Sequence, residues 1–498
     1  MSDKVREKGS ARVLRAAFLI TLVVAISGCQ SALWFPAAPD RAVRVEGGDR
    51  LVYNLKNRRV AFLQEDGRPP RITEVEILAG GATERVVLAD VPASERRHLV
   101  IGLDGCPYGV VRDLYDRGLL TMFHEPTPLV STFPAQTDLS YYKILGGPVP
   151  LGFESKYYDR ERGKVVSGAM NYVAGTNEPW SRYLDYRLGN FGSAMQFTSP
   201  RRFFNRELDE LLKRFRESDK PVFTAYFAST AGLGTRYGMT GYVEALQGID
   251  RAVKQLVVEM KGRVDVTLCA DHGQTLVPVR QIPLESFLRE RGFRVTDELK
   301  RPRDVVPIAF GVLTYVALYT DSAAEVAQAL VEMPQVEFAV YREGDAVLAA
   351  SRAGKAAIRR RDGRYRYDPV EGDPLDLVGT TRRLAEEGHA DADGYVDDRA
   401  LFEATAQARY PDACHRLWGA FDGLAVHAPD VLLSLSDDAC YGGALFRKLT
   451  PVRSTHASLD YQNSVTFVMS TAGKMPGALR VDDLRQALGE MGIAIGER

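Results

Sequence analysis

The chain has 498 residues, 45% hydrophobic and 26% charged, proportions that exclude long disorder. The length exceeds what one hydrophobic core usually supports, so two or three compact units are expected. Sixty-four basic and sixty-five acidic side chains nearly cancel, which leaves no basic excess and no nucleic-acid-binding signal.

Lys4, Arg6, Lys8, Arg12 and Arg15 form a positive leader ahead of an apolar run from Ala16 to Ile26. At about eleven residues the run is too short to span a bilayer and fits the apolar region of a signal peptide. It ends in Ile26-Ser27-Gly28-Cys29, the pattern of a lipobox, in which cleavage precedes Cys29 and its thiol carries lipid. The plainer alternative is a secretory signal with a chance cysteine. Gln30 after the cysteine favours the outer membrane. The expectation is a bacterial cell-envelope lipoprotein facing the periplasm and attached to the membrane through its N-terminal lipid. Cys106, Cys269, Cys414 and Cys440 remain, and an oxidising compartment permits bridges among them; Cys414 with Cys440 is the pairing expected.

Residues 50–53, 59–63 and 72–77 read as short strands between turn signals such as Asp66-Gly67 and Pro69-Pro70. They predict a small antiparallel β module between the lipid and the main domain. At Leu99 the pattern changes. Residues 99–103 form a continuous apolar run, as in a strand buried on both faces of a parallel sheet. A helix follows over 107–117, with Pro107 in its first turn. Leu208, Leu211, Leu212 and Phe215 mark a second amphipathic helix, and 221–227 reads as a strand. Val243, Leu246, Val253, Leu256, Val257 and Met260 then recur at helical spacing, and the strand 264–270 leads into Asp271. This alternation predicts an α/β core with a mostly parallel sheet. A strand over 315–319, a helix over 323–333 and a strand over 337–341 predict an inserted α+β cap. Strands 431–435 and 465–469 are expected to return to the core sheet. The expected layout is a signal peptide over 1–29, a β module over 30–95, a core over 96–285 and 401–498, and a cap over 286–400. Arg359-Arg360-Arg361 reads as a solvated turn.

Four places near strand ends combine residue types that bind metals or phosphate. Gly102-Leu103-Asp104-Gly105 brings a carboxylate out of a buried strand into a glycine turn, where an aspartate also serves as an ordinary turn former. Ser131-Thr132-Phe133-Pro134 precedes a helix ending at Gly146-Gly147; a hydroxyl there is a helix cap in the plain reading and a neighbour of bound phosphate in the functional one. Ala270-Asp271-His272-Gly273 sets two adjacent metal-ligand types at a sheet edge. Thr455-His456-Ala457-Ser458 precedes a core strand, where a lone histidine is structural in the plain reading. Tyr157, Tyr158, Tyr172 and Trp180 are read as packing, with stacking on a base or sugar as the alternative.

In this order the four motifs resemble the alkaline phosphatase superfamily, closest to its type I phosphodiesterase and nucleotide pyrophosphatase branch. The resemblance covers roughly residues 96–285 and 400–475. It implies an alkaline-phosphatase-like three-layer αβα sandwich whose metals activate a threonine that attacks phosphorus. Carried over residue by residue, Thr132 is the nucleophile and a metal contact. Asp104, Asp271 and His272 hold one divalent ion, Zn²⁺ foremost, and His456 belongs to a second site. Oxygen and imidazole ligands suit such an ion, and a threonine hydroxyl needs one to attack. The implied substrate is a small-molecule phosphate ester.

The chain departs from the family at the second metal. Where the family places an aspartate and a histidine in a segment like Ser-Thr-Asp-x-x-Gly-His, this sequence has Ala231 and Thr235. Alanine cannot bind a metal and a neutral threonine hydroxyl binds weakly, which puts the second site in doubt. Three readings stay open: a one-metal hydrolase with Arg236 supplying charge near phosphate, replacement ligands from another loop, or a non-catalytic envelope binding protein or scaffold on the same fold.

Overall fold

The computed structural model describes residues 43–45, 48–54, 59–60, 71–79, 82–166 and 168–496; the leader, the lipobox and Cys29 lie outside them. Leu99, Ile101 and Leu103 have almost no exposed surface, and neither has Val100, so the strand Arg97–Leu103 is buried on both faces. It lies between Val222–Phe227 and Val264–Ala270 and runs parallel to both. The full order of this seven-stranded sheet is Tyr186–Arg187, Val222–Phe227, Arg97–Leu103, Val264–Ala270, Val465–Ser470, Thr127–Val130, Leu479–Arg480. Only Val465–Ser470 runs antiparallel to its neighbours.

Successive side chains of a strand point to opposite faces, and the two faces meet different helices. Leu99, Ile101 and Leu103 pack with Val110, Phe204, Leu211, Phe215, Leu246, Ile249 and Val253 from the helices Tyr108–Asp116, Pro200–Glu217 and Met239–Glu259. Val100 packs the other way, with Tyr141, Ile144, Leu484 and Leu488 from Thr137–Leu145 and Leu484–Glu490. The result is a three-layer αβα sandwich, as expected. Among the described residues no helix is long and apolar enough to cross a membrane.

A second, nine-stranded sheet runs Arg294–Val295, Asp304–Ile308, Tyr315–Thr320, Val431–Leu435, Val336–Glu343, Ala346–Ser351, Gly354–Arg361, Arg364–Gly372, Val396–Asp397. Val431–Leu435 does not return to the core sheet: it pairs antiparallel with Tyr315–Thr320 and Val336–Glu343. Its five buried residues suit the middle of either sheet, and an apolar run does not specify its partner. Arg359-Arg360-Arg361 ends a strand of this sheet instead of forming a turn, and its charges meet Asp345, Asp368, Asp391, Asp393 and Asp422.

The N-terminal strands form a five-stranded sheet, but Gly48–Asn54 pairs with Ile72–Ala79 in parallel, where an antiparallel module was expected. The residues between the two strands are enough for the crossover that parallel pairing requires. Ile72, Val75 and Ile77 join the main core. All four described cysteines are free and buried, so the expected Cys414–Cys440 bridge is absent. Cys414 sits on the helix Ala413–Ala420 in the core of the nine-stranded sheet, while Cys440 lies on Ala439–Gly442, paired with Arg280–Gln281.

One polar pair lies inside the core. Lys254 Nζ is 2.7 Å from Asp250 Oδ2, and both side chains are essentially inaccessible. Asp250 Oδ1 also accepts from the Leu120 amide at 3.1 Å, holding Leu120 at φ +61°. Removing one partner of such a pair leaves a buried charge uncompensated. Lys254→Met is expected to lower the urea midpoint by an amount equivalent to about 3 kcal/mol, with part regained in Lys254→Met/Asp250→Asn; an unchanged midpoint in the single variant would show that the pair is not buried.

Candidate metal centre

The register of two parallel strands builds the centre. Leu103 pairs with Ala270, so Asp104 and Asp271 leave adjacent strands at the same level, the strands being about 4.8 Å apart. Gly105 then turns with φ +61° and donates its amide to Asp271 Oδ1 at 2.9 Å. A Cβ at Gly105 would lie 2.8 Å from His272 Cε1, and one at Gly273 would lie 2.1 Å from the Gln462 carbonyl oxygen. Each segment therefore ends in a glycine because His272 in one case and the Gln462 backbone in the other occupies the side-chain position.

Asp104, Asp271 and His272 offer ligand atoms within 4.8 Å of one another, the one such group of three among the described residues. His272 Nε2 is 3.4 Å from Asp271 Oδ2 and 3.8 Å from Asp104 Oδ1. His272 Nδ1 lies 2.8 Å from the Gly273 carbonyl, which only accepts, so Nδ1 carries the proton and Nε2 presents a lone pair. Asp271 Oδ2 is buried without a hydrogen-bond partner. Three acceptors thus converge, and a divalent cation fits them. Tetrahedral ligands about 2.1 Å from Zn²⁺ stand about 3.4 Å apart.

Burial, with Asp271 alongside, pushes the Asp104 carboxyl up to about 8; burial pushes Asp271 up to about 7 and pulls His272 down to about 4. Tyr226 steadies Asp104 by donating to Oδ2 at 2.7 Å, and Thr230 Oγ1 donates to the Asp104 carbonyl at 2.8 Å.

Thr132 makes no hydrogen bond to this group among the described residues. Its hydroxyl donates to the Pro134 carbonyl at 2.8 Å and lies 3.3 Å from Ser140 Oγ. The helix expected directly after Thr132 begins at Thr137, because the intervening backbone is tied to the loop after His456. The Ser131 amide donates to the Ser464 carbonyl at 2.9 Å and the Ala135 amide to the Ala457 carbonyl at 3.3 Å. Arg416, only 3% exposed, binds the carbonyls of Thr132 at 2.9 Å and of Pro411 and Leu459 at 3.1 Å.

The hydroxyl that does reach the centre is that of Thr137, 3.3 Å from His272 Nε2 and 3.4 Å from Asp104 Oδ1. Sequence reading missed it. The available signal was a Thr137-Asp138 pair directly before the apolar positions Leu139 and Ile144, a helix-start pattern. Tyr226 had no signal beyond its place in a strand.

His456 stacks on His272, ring centroids 3.8 Å apart and planes 11° from parallel. Its Nδ1 lies 2.7 Å from the Ala135 carbonyl, so it too keeps Nε2 unprotonated. Burial, and His272 beside it, hold it well below the usual imidazole value. Ala231 and Thr235 are buried on the helix Ser229–Tyr237, whose first amides, Ala228 and Ser229, donate to the buried Glu207 at 3.0 and 2.8 Å. Arg236 turns away, to the carbonyls of Phe197 and Thr198 at 3.4 and 3.3 Å. The four aromatic residues are packed: Trp180 on Tyr141, Tyr157 on His427, Tyr158 on Tyr319 and Tyr172 on Phe310.

Residues 157–367 match the family model described as type I phosphodiesterase / nucleotide pyrophosphatase, a span that contains Asp271 and His272. No curated protein matches the chain. Among solved structures, murine ectonucleotide pyrophosphatase / phosphodiesterase 5 is 10% identical with a TM-score of 0.44, covering 81% of this chain and 97% of that one. An inactive threonine-to-alanine form of the murine protein, in complex with AMP, also has a TM-score of 0.44 at 10% identity, with 81% and 96% covered. Phosphonoacetate hydrolase from Sinorhizobium meliloti 1021, in complex with phosphonoformate, is 14% identical with a TM-score of 0.42, with 85% and 100% covered. At these values the structural likeness is distant.

The two carboxyls are raised above their ordinary 3.8, so the stability they contribute is complete below that value and is lost as pH rises through about 7 and 8. The imidazole of His272 is displaced downward from 6.5 and acts only below it. Between pH 6.5 and 8.5 these two carboxyls titrate together with those of Glu154, Glu207 and Asp437, which burial also raises, to about 7, 7 and 8. Chelated protein is expected to lose on the order of 2 kcal/mol over that interval, read from urea midpoints, with a smaller loss in Asp271→Asn. An equal loss in the wild type and in Asp271→Asn would contradict the buried pair.

Proposed function

We propose that this chain, which belongs to the alkaline phosphatase superfamily on its type I phosphodiesterase and nucleotide pyrophosphatase branch, hydrolyses a small phosphate ester with one divalent cation, Zn²⁺ foremost, held by Asp104, Asp271 and His272. The observation that carries this reading is the convergence of two carboxyls and an unprotonated imidazole nitrogen, at spacings of 3.4 and 3.8 Å. When bound, the cation lowers the pKa of a nearby hydroxyl and screens charge on the phosphoryl oxygens.

The chain's own groups do the rest. Thr137 presents its hydroxyl to the same cluster at 3.3–3.4 Å, and we assign it the attack on phosphorus in preference to Thr132, the residue that the family resemblance implies. Thr137 opens a helix whose first turn has no side-chain cap, so its amides are suited to a non-bridging phosphoryl oxygen. The unprotonated Nε2 of His456 stands beside His272 as a proton acceptor or a further ligand. Tyr226 keeps Asp104 oriented.

The second reading is a binding protein on the same fold, favoured by Ala231 and Thr235 in place of ligands. Lipid on Cys29, an outer-membrane position facing the periplasm and the layout of core and cap remain part of the proposal, supported by the sequence pattern alone.

Nitrophenyl phosphate and bis-nitrophenyl phosphate with added Zn²⁺ or Mn²⁺, together with metal analysis, test these assignments. About one metal per chain is expected, lost in Asp271→Asn. Thr137→Ala should lower kcat about a hundredfold or more, and Thr132→Ala by less than about tenfold. The reverse ranking would return the nucleophile to Thr132. Equal rates in both variants and the wild type, with less than about a tenth of an equivalent of metal, would leave the binding protein.

A further inference from the structure

At the end of the core sheet away from the metal centre, a cavity of about 210 Å³ lies between the N-terminal sheet and the first residues of the core strands. Its lining includes Arg71, Arg96, Met122, His124, Asp265 and Thr471. Asp265 and Asp271 stand six residues apart along one strand, so about 20 Å separates this cavity from the centre.

The two arginines differ. Arg96 is saturated: it reaches both Asp265 oxygens at 3.2 and 3.4 Å, the Val91 carbonyl at 2.9 and 3.1 Å, and the Leu88 carbonyl. Asp265 in turn accepts from Thr471 Oγ1 at 2.9 Å. Arg71 makes no direct salt bridge to a carboxylate among the described residues, and Asp265 acts on it only through space. Only its Nη1 is engaged, with His124 Nε2 at 2.9 Å and the Thr471 carbonyl at 3.3 Å. A guanidinium always donates, so His124 Nε2 accepts, and the ring is neutral with its proton on Nδ1. The Nε and Nη2 edge of Arg71, the edge that grips an oxyanion through two parallel hydrogen bonds, has no protein acceptor among the described residues.

We infer that this cavity binds a phosphate-type oxyanion through the Nε/Nη2 edge of Arg71. Arg96 and Asp265 cancel, so Arg71 leaves the lining with one net positive charge, and the Nδ1–H of His124 adds a neutral donor. Arg71 directly precedes the strand Ile72–Ala79, while His124 and Thr471 belong to the core, so a bound oxyanion bridges the N-terminal sheet and the catalytic body. Free phosphate and the phosphate of a lipid headgroup share this chemistry.

The test is thermal unfolding of the full chain in detergent at constant ionic strength. Inorganic phosphate and glycerol phosphate are titrated against chloride. A saturable rise of about 2 °C or more is expected with phosphate; it should persist in Asp271→Asn, which alters the metal centre, shrink in Arg71→Lys and vanish in Arg71→Gln. A larger rise with glycerol phosphate identifies a headgroup as the source, and an equal or smaller one identifies free phosphate; both support the site. No rise over chloride in the wild type, or an undiminished rise in Arg71→Gln, overturns it. Should Arg71→Gln fail to fold, wild-type crystals soaked in tungstate decide: density against Arg71 supports the site, and an empty cavity refutes it.

Discussion

Two carboxylates buried side by side are the constraint from which most of the structure follows. Parallel pairing of Leu103 with Ala270 brings Asp104 and Asp271 out of the sheet together, where burial opposes the ionisation of both. A pair of this kind needs donors or a cation. The protein supplies donors to each, Tyr226 and Thr137 to Asp104 and the Gly105 amide to Asp271, and leaves Asp271 Oδ2 bare beside the lone pair of His272. The proposed cation would complete this group.

The same economy of donors explains the loop that precedes Thr137. Its backbone amides and carbonyls are engaged by the segment after His456 and by Arg416, so it runs extended past the point where Thr132 would open a helix. Arg416 comes from a helix packed on the nine-stranded sheet; the second sheet thus holds the backbone of the first sheet's functional loop. Across the centre, Glu207 caps the helix that carries Ala231 and Thr235. Glu207 is thereby committed to backbone amides.

Arg71 extends the contrast to the far end of the sheet. Arg96 and Asp265 neutralise one another there, while Arg71, in the same cavity lining, has no acceptor at its Nε/Nη2 edge among the described residues.

Local pattern was enough for the elements that are buried on both faces or strongly amphipathic. Residues 99–103, 221–227 and 264–270 were readable as core strands, and the long helices as helices, because apolar periodicity reports burial directly. Asp104, Asp271 and His272 were readable as a cluster of ligand-type side chains because each stands at the end of such a strand, where side chains converge. Partner choice was not readable. Val431–Leu435 and Gly48–Asn54 have the composition of strands, but which neighbour each meets depends on the whole chain's closure. Nor could spacing reveal that Thr137, five residues past Thr132, is the hydroxyl delivered to the centre. That outcome depends on contacts from residues 416 and 456–464, more than 270 positions away in sequence, which exist only once both sheets are packed together.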